Sequence, residues 1–462
     1  MILDKRADLG HGDVKKLLFS LSVPTITSQI VNMLYNLVDR VFIGHMQPAE
    51  TVGKLALTGV GVCLPIIMVI SAFASLMAIG GAPRASIAEG AGESEKSERI
   101  MGNCLTMLLI TALVLMVLFE SFAEPLLLMF GASENTVGYA LDYMRIYALG
   151  TIFVQLTLGM NAYITAQGFA TVSMKTVLIG ALLNTALDPL FIFVLGLGVR
   201  GAALATVLSQ VASAVLTLRC IVGSQGMPWH IRTEKLRLHG DVFAAICTIG
   251  VPAAAQSAMY NISNMFIQSS MNSFGTSTIA AWGVYGKIDF LFWMTINSLG
   301  IAITTFAGQN FGARQYDRVR RGVRVCLAMA ACTTLVISFT FYNLAEVLFR
   351  LFSQDDAVVA VGVGMMHVLT PVYITYVCIE VLAGALRGCG DVRVPTLITV
   401  FFVCGLRMLW LFIAVPIRHE VATVEMSYPI TWSLASALFI LYYVKGGWMQ
   451  RCAEKWEKKQ AG

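Results

Sequence analysis

Charged side chains are scarce in this sequence. Asp, Glu, Lys and Arg make up 13% of its 462 residues, against about 25% in a typical soluble domain. Hydrophobic residues reach 57% and the mean hydropathy is +0.74. A single core cannot hide that much apolar surface, so lipid must be its solvent. Cysteine pairs are lacking too. The ten cysteines are scattered, mostly in apolar runs (Cys63, Cys104, Cys220, Cys378), and no CxxC occurs; this leaves neither a disulfide framework nor a thiolate metal site. Only six histidines are present, with no HExxH, no GxSxG and no convergent His/Asp cluster, so no enzyme is expected. Barrel strands alternate apolar and polar residues over about ten positions, and the apolar runs here are continuous. The charged stretch Met1–Lys16 has no short apolar segment with a cleavage site, so no removed leader is expected.

What is abundant is long apolar runs. At about 20 residues per span, helices are expected at Leu17–Ile43, Ala56–Ala82, Arg99–Phe122, Val137–Thr165, Val172–Leu197 and Gly201–Val222. After a polar stretch they resume at Asp241–Met271, Thr278–Ala307, Val319–Phe341, Ala357–Leu386, Val394–Pro416 and Thr423–Val444. The expectation is an all-α integral membrane protein. It has twelve transmembrane helices in two six-helix bundles, residues 1–222 and 241–462, joined by a linker at 223–240.

Arg and Lys set the orientation. Of 32 such residues, Lys54, Arg200, Arg350 and Arg418 fall on one side, and Arg40, Arg145, Lys287 and Arg407 fall within spans. The other 24 share the side of both termini. That bias predicts a multi-pass protein of the cytoplasmic membrane with both termini cytoplasmic, which requires an even number of spans. The mixed-charge stretch Glu89–Arg99 and the basic run Arg318–Arg324 read as solvated loops.

The two halves are related. Gly92, Gly102, Gly168 and Thr176 recur 220 residues later as Gly312, Gly322, Gly388 and Thr396. Pro24 and Pro252, each early in the first helix of its half, fit the same duplication with a small gap. Six helices per half makes the halves parallel repeats, and transporters built this way place their sites near mid-membrane.

Ionisable groups within spans point to that site, because an Asp at a helix centre costs about 2.5–3.5 kcal/mol. Asp39 lies late in helix 1, with Tyr35 and Asn32 four and seven residues earlier on the same face. Its neighbour Arg40 points elsewhere, which argues against a local ion pair. Asp188 lies in helix 5 with Asn184 one turn before it. Pro189 removes a backbone donor behind it, and freed carbonyls can join an ion shell. Thr206 and Asn161 are candidates to complete the pocket. Two acids with Asn and Thr suit either Na⁺ or H⁺. In the second half the spanning charges include Glu380 and the pair Lys287/Asp289. The latter two face different directions and should find separate partners.

The strings YNLVDRVFIGH, NxxxDPLFIFxxGLGVRGAALATVLSQ, GQNFGAR and LRGCGD resemble the multidrug and toxic compound extrusion (MATE) family. They are most similar to its prokaryotic branch with an aspartate in helix 1. The resemblance covers essentially all helices. It implies two six-helix lobes forming a V and efflux of amphipathic, often cationic drugs or toxins in exchange for H⁺ or Na⁺. By resemblance, Asp39, Asn184, Asp188 and Thr206 form the cation-coupling site. Tyr35, Tyr143 and Asn161 provide the polar surround, with Asn32 and Glu380 as further candidates from their positions in the spans, and by resemblance Pro24 is the helix-1 hinge. No cofactor is implied beyond the coupling ion, no metal beyond Na⁺ at Asp39/Asn184/Asp188, and no nucleic-acid partner. A monomer in the lipid bilayer is expected. Other branches carry acids in helices 7 and 10; helix 7 here has Gln256 and Asn261 instead. The alternatives are a lipid-linked oligosaccharide flippase or a metabolite exporter of the same superfamily. Arg145 and Arg407 favour a flippase, whereas Asp39 and Asp188 oppose an anionic lipid substrate.

Overall fold

The computed structural model describes residues 8–223, 227–231 and 236–461. Linker positions 224–226 and 232–235 lie outside the described residues, as do Lys5 and Arg6. Among the described residues the regular structure is entirely helical. Among the described residues eleven helices are long and apolar enough to cross a bilayer, and a bent pair counted as one span makes a twelfth. They are α1 Val14–Gly44, α2 Thr51–Gly90, α3 Ser94–Ser121, α4 Val137–Leu149 with Thr151–Ala166, α5 Ala170–Val194 and α6 Val199–Gly223. The second set is α7 Gly240–Asn272, α8 Thr276–Gly312, α9 Tyr316–Asn343, α10 Asp356–Gly388, α11 Arg393–Ile417 and α12 Val421–Lys445. A short amphipathic α13, Trp448–Ala461, follows. The two parts of α4 bend by 56° at Gly150.

Two stretches read as loops are helical. Helix α2 continues past its last apolar residue to Gly90, and α3 starts at Ser94, so the turn within Glu89–Arg99 is only a few residues long. Gly92, at φ +79°, makes that turn. Arg318–Arg324 forms the first turns of α9 rather than a loop. The reason is general: charge ends an apolar run, but a helix ends only where the backbone is broken or capped.

The chain folds into two compact units, and their borders cut across two helices. Val23–Gly250 lies in one unit; Leu9–Ser22 lies with Val251–Gly462 in the other. The first turns of α1 thus belong to the second unit, and the first turns of α7 to the first. Pro24 and Pro252 sit within two residues of these borders. Named contacts hold each segment. In the second unit the carbonyl of buried Leu9 accepts from Asn310 Nδ2 at 3.1 Å and from Arg318 Nε and Nη2 at 3.2 and 3.1 Å. Arg318 Nη2 also donates to the Gly12 carbonyl at 2.5 Å. Asp13 caps α1, accepting from Lys16 N at 3.0 Å, and this backbone hydrogen bond holds its carboxyl below the usual carboxylate range. In the first unit α7 lies directly on α2. A Cβ on Gly80 would meet Ile246 O at 2.5 Å, and one on Gly250 would meet Leu76 O at 2.6 Å. Backbones approach this closely only through glycine, the usual device of helix packing in lipid.

The repeat is present, with a register of 222 rather than 220 from α2 onwards. Gly90 and Gly312 end α2 and α8, Ser94 and Tyr316 start α3 and α9, Ala166 and Gly388 end α4 and α10, and Val199 and Val421 start α6 and α12. Gly168 and Gly390, at φ +90° and +86°, are the matching turns. Identical letters two positions out of register suggested the shorter period.

Within the first unit the apolar core is split. One cluster runs from Ala74 and Met77 through Cys104, Leu156 and Met160 to Ile246. The other runs from Ile43 and Ile70 through Leu115 and Tyr143 to Val154 and Ala202. On α2 the change falls between Ile70 and Ala74, and on α4 between Val154 and Leu156. Ser71 of α2 and Thr157 of α4 are polar and lie at that change.

Candidate functional site

A cavity of about 290 Å³ opens in the first unit. Asn32 and Tyr35 of α1, Asn161 of α4, Asn184 of α5 and Thr206 of α6 line it, so five of the expected side chains come together. Asp39, Asp188 and Tyr143 are buried beside them. Asn184 bridges two helices: its Nδ2 donates to Asp188 Oδ1 at 3.3 Å and to Thr206 Oγ1 at 3.4 Å. Asn161 Oδ1 accepts from Thr176 Oγ1 at 2.9 Å. The two carboxyl groups lie close enough for Asp188 to feel the charge of Asp39. Tyr143 stands beside Asp39 and Thr206 and stacks on Tyr147, ring centroids 5.9 Å apart.

The balance of donors and acceptors is uneven. Asp39 Oδ1, Asn184 Oδ1 and Asp188 Oδ2 are buried and have no hydrogen-bond partner among the described residues. Carboxylate oxygens only accept, and each buried oxygen left unsatisfied costs about 1–3 kcal/mol. A proton or a small hard cation is the kind of partner that such oxygens lack. Arg40 is exposed and forms no ion pair with Asp39 among the described residues, acting on it only through its charge. The backbone behind Asp188 behaves as proline requires: the α-helix runs to Pro189 and loosens into a π turn over Leu190–Val194. No cluster of three or more His, Cys, Asp or Glu side chains is present among the described residues. The oxygen set therefore suits a proton or an alkali cation rather than a transition metal.

Some lining residues were not foreseen. Ser209, Gln210 and Ser213 of α6 extend the Thr206 face, and Tyr147, Ser71 and Thr157 contribute from other helices. The α6 stripe was legible, since these side chains lie three, four and seven residues after Thr206 in an otherwise apolar helix. Pro24 lies in an unbroken α1, at the border where the helix changes unit.

Glu380 belongs to the second unit and is not part of this cavity. Its Oε2 accepts from Tyr376 OH at 3.3 Å, which in turn meets Tyr260 OH at 3.3 Å. Its Oε1 packs so close to α8 that a Cβ on Gly300 would lie 2.4 Å away. Asp289 accepts from Tyr373 OH at 2.5 Å and Trp293 Nε1 at 2.6 Å. Lys287 points away from Asp289, toward the Phe352 ring at 5.6 Å, as their spacing implied. In the 222 register Asn184 and Asp188 correspond to Leu406 and Trp410, so the first-unit site is not duplicated. Conversely, Asp289 and Glu380 correspond to Ile67 and Leu158, which line the first cavity. Buried Arg407 lies over the Tyr428 ring at 4.3 Å, and Arg145 is exposed; neither makes a basic cavity for an anionic lipid.

The MatE family profile matches residues 24–190 and 252–413, two segments that each begin at a border proline. A probable multidrug resistance protein YoeA of Bacillus subtilis is 24% identical over 91% of both chains. A multidrug export protein MepA of Staphylococcus haemolyticus is 23% identical over 84% of this chain and 85% of its own. The fold superposes on an outward-facing multidrug resistance MATE family transporter of the MOP superfamily. The TM-score is 0.88 at 21% identity, covering 99% of this chain and 100% of the other. With the profile spanning most of both halves, the chain belongs to the MATE family of multi-pass membrane transporters.

Proposed function

We propose that this transporter is a cation-coupled antiporter that exports amphipathic, often cationic drugs or toxins across the cytoplasmic membrane in exchange for H⁺ or Na⁺. The observation that carries the reading is the set of three unsatisfied buried oxygens, on Asp39, Asn184 and Asp188, beside a polar cavity. Loading a proton or Na⁺ there neutralises a carboxylate and supplies the missing partner. Differential affinity for ion and drug in two packings of α1 couples the fluxes. Asp39 and Asp188 carry the ion, Asn184 and Thr206 orient it, and Tyr35, Asn32, Tyr143 and Asn161 form the polar surround. Pro24, unable to donate a backbone hydrogen bond, is the hinge. Both termini are cytoplasmic on the strength of the Lys/Arg bias, and the working unit is a monomer.

The test is ethidium efflux from proteoliposomes under an imposed pH gradient and, separately, an imposed Na⁺ gradient. Wild-type protein concentrates the dye under one of them, and Asp39→Asn protein does not. Uphill transport by neither gradient sinks the coupling.

A further inference from the structure

Away from the transport site, a groove of about 670 Å³ runs along the second unit between the start of α1 and α9. One end is basic, formed by Lys15, Lys16 and Arg324; the remainder is lined by Phe19, Val325, Ala328, Met329 and Cys332. The three cations are exposed, and none has an ion-pair partner among the described residues. Phe19 is 61% exposed, although it sits only one turn from Lys15. From Arg324 to Cys332 the groove follows α9 for eight residues, roughly 12 Å, most of the roughly 15 Å of hydrocarbon in one leaflet. On a membrane-spanning α9, this length lets the charged end sit at the surface while the apolar wall lies in the leaflet.

We infer that this groove binds an anionic phospholipid. The phosphate lies among Lys15, Lys16 and Arg324, and one acyl chain lies along Phe19, Ala328, Met329 and Cys332. Basic pockets between membrane helices at the leaflet surface select anionic headgroups in this way, and with only Asp13 beside Lys16 to offset the three cations, a zwitterionic lipid leaves net positive charge uncompensated. The lipid joins the first turns of α1 to α9, the same segment that Asn310 and Arg318 tether through the Leu9 and Gly12 carbonyls. It thus fixes the part of α1 that precedes Pro24. The inference rests on the groove and the membrane-spanning fold, and it stands whether or not efflux is ion-coupled.

The experiment is native mass spectrometry of the full-length protein in detergent, titrated with dioleoylphosphatidylglycerol or dioleoylphosphatidylcholine. Wild type retains one phosphatidylglycerol in preference to phosphatidylcholine. The triple variant K15Q/K16Q/R324Q loses that preference, retention falling roughly fivefold per cation removed. Ala328→Trp, which fills the apolar wall and leaves every charge in place, also weakens retention. Arg320→Gln, exposed and paired with Asp317, leaves it unchanged. Equal retention of the two lipids by wild type overturns the proposal. So does undiminished phosphatidylglycerol binding in the triple variant, or in the Ala328→Trp protein.

Discussion

If Asp39 and Asp188 act as one ion site, replacing either with Asn must remove the whole coupling, and replacing both must cost no more. Asp39 lies five residues, roughly 7.5 Å, from the Gly44 end of α1, and its Oδ1 is buried without a partner. A carboxylate within a span costs about 2.5–3.5 kcal/mol. Neutralising it by proton or cation therefore changes the balance between two packings by up to that amount. At 1.36 kcal/mol per tenfold, this is a bias of about 70- to 400-fold. Asp39→Asn keeps the side chain's shape and abolishes the bias. Asp188→Asn does the same at the second carboxyl, which feels the charge of Asp39. Ion-driven ethidium efflux in proteoliposomes should fall about two orders of magnitude in each single variant and no further in the double. Residues that work as a unit give such strongly non-additive losses. Two single losses that multiply in the double variant refute a shared site, and wild-type efflux by Asp39→Asn refutes the role of α1.

Other outcomes follow from the packing. Gly80→Ala places a methyl 2.5 Å from Ile246 O, so α7 must move off α2; a loss of about 1–3 kcal/mol should appear as a lower detergent melting temperature. Tyr373→Phe removes a charge-assisted hydrogen bond to Asp289 at 2.5 Å, worth about 1.5–3 kcal/mol. The same melt reads it, and an unchanged midpoint counts against the bond. Asn310→Ala leaves the Leu9 carbonyl on Arg318 alone. It should cost about 1 kcal/mol and raise amide exchange at the start of α1 without disturbing α2.

Much of the architecture was written in local chemistry. Runs of about 20 apolar residues can only be spans, and acids within such runs, Asp39 and Asp188, are costly enough to mark a site by themselves. The i, i+4 spacing of Asn184 and Asp188 put them on one face before any coordinates were known, and the structure joins them at 3.3 Å. Other features depended on distance in space rather than in sequence. Helix ends at Gly90 and Ser94 were hidden, because charge and helicity are separate properties. The 222-residue register was obscured by glycines that recur two positions apart in equivalent turns. Nothing in the sequence near Asp289 announces Tyr373, 84 residues away. Nor does any local pattern reveal that α1 and α7 start in one unit and continue in the other, since the apolar run of each helix continues across the border. Composition and period determine that a helix spans the bilayer and which face is polar. Which neighbour it meets, and whether a buried oxygen finds a donor there, depends on the packing of helices distant in the chain, and only the tertiary structure decided it.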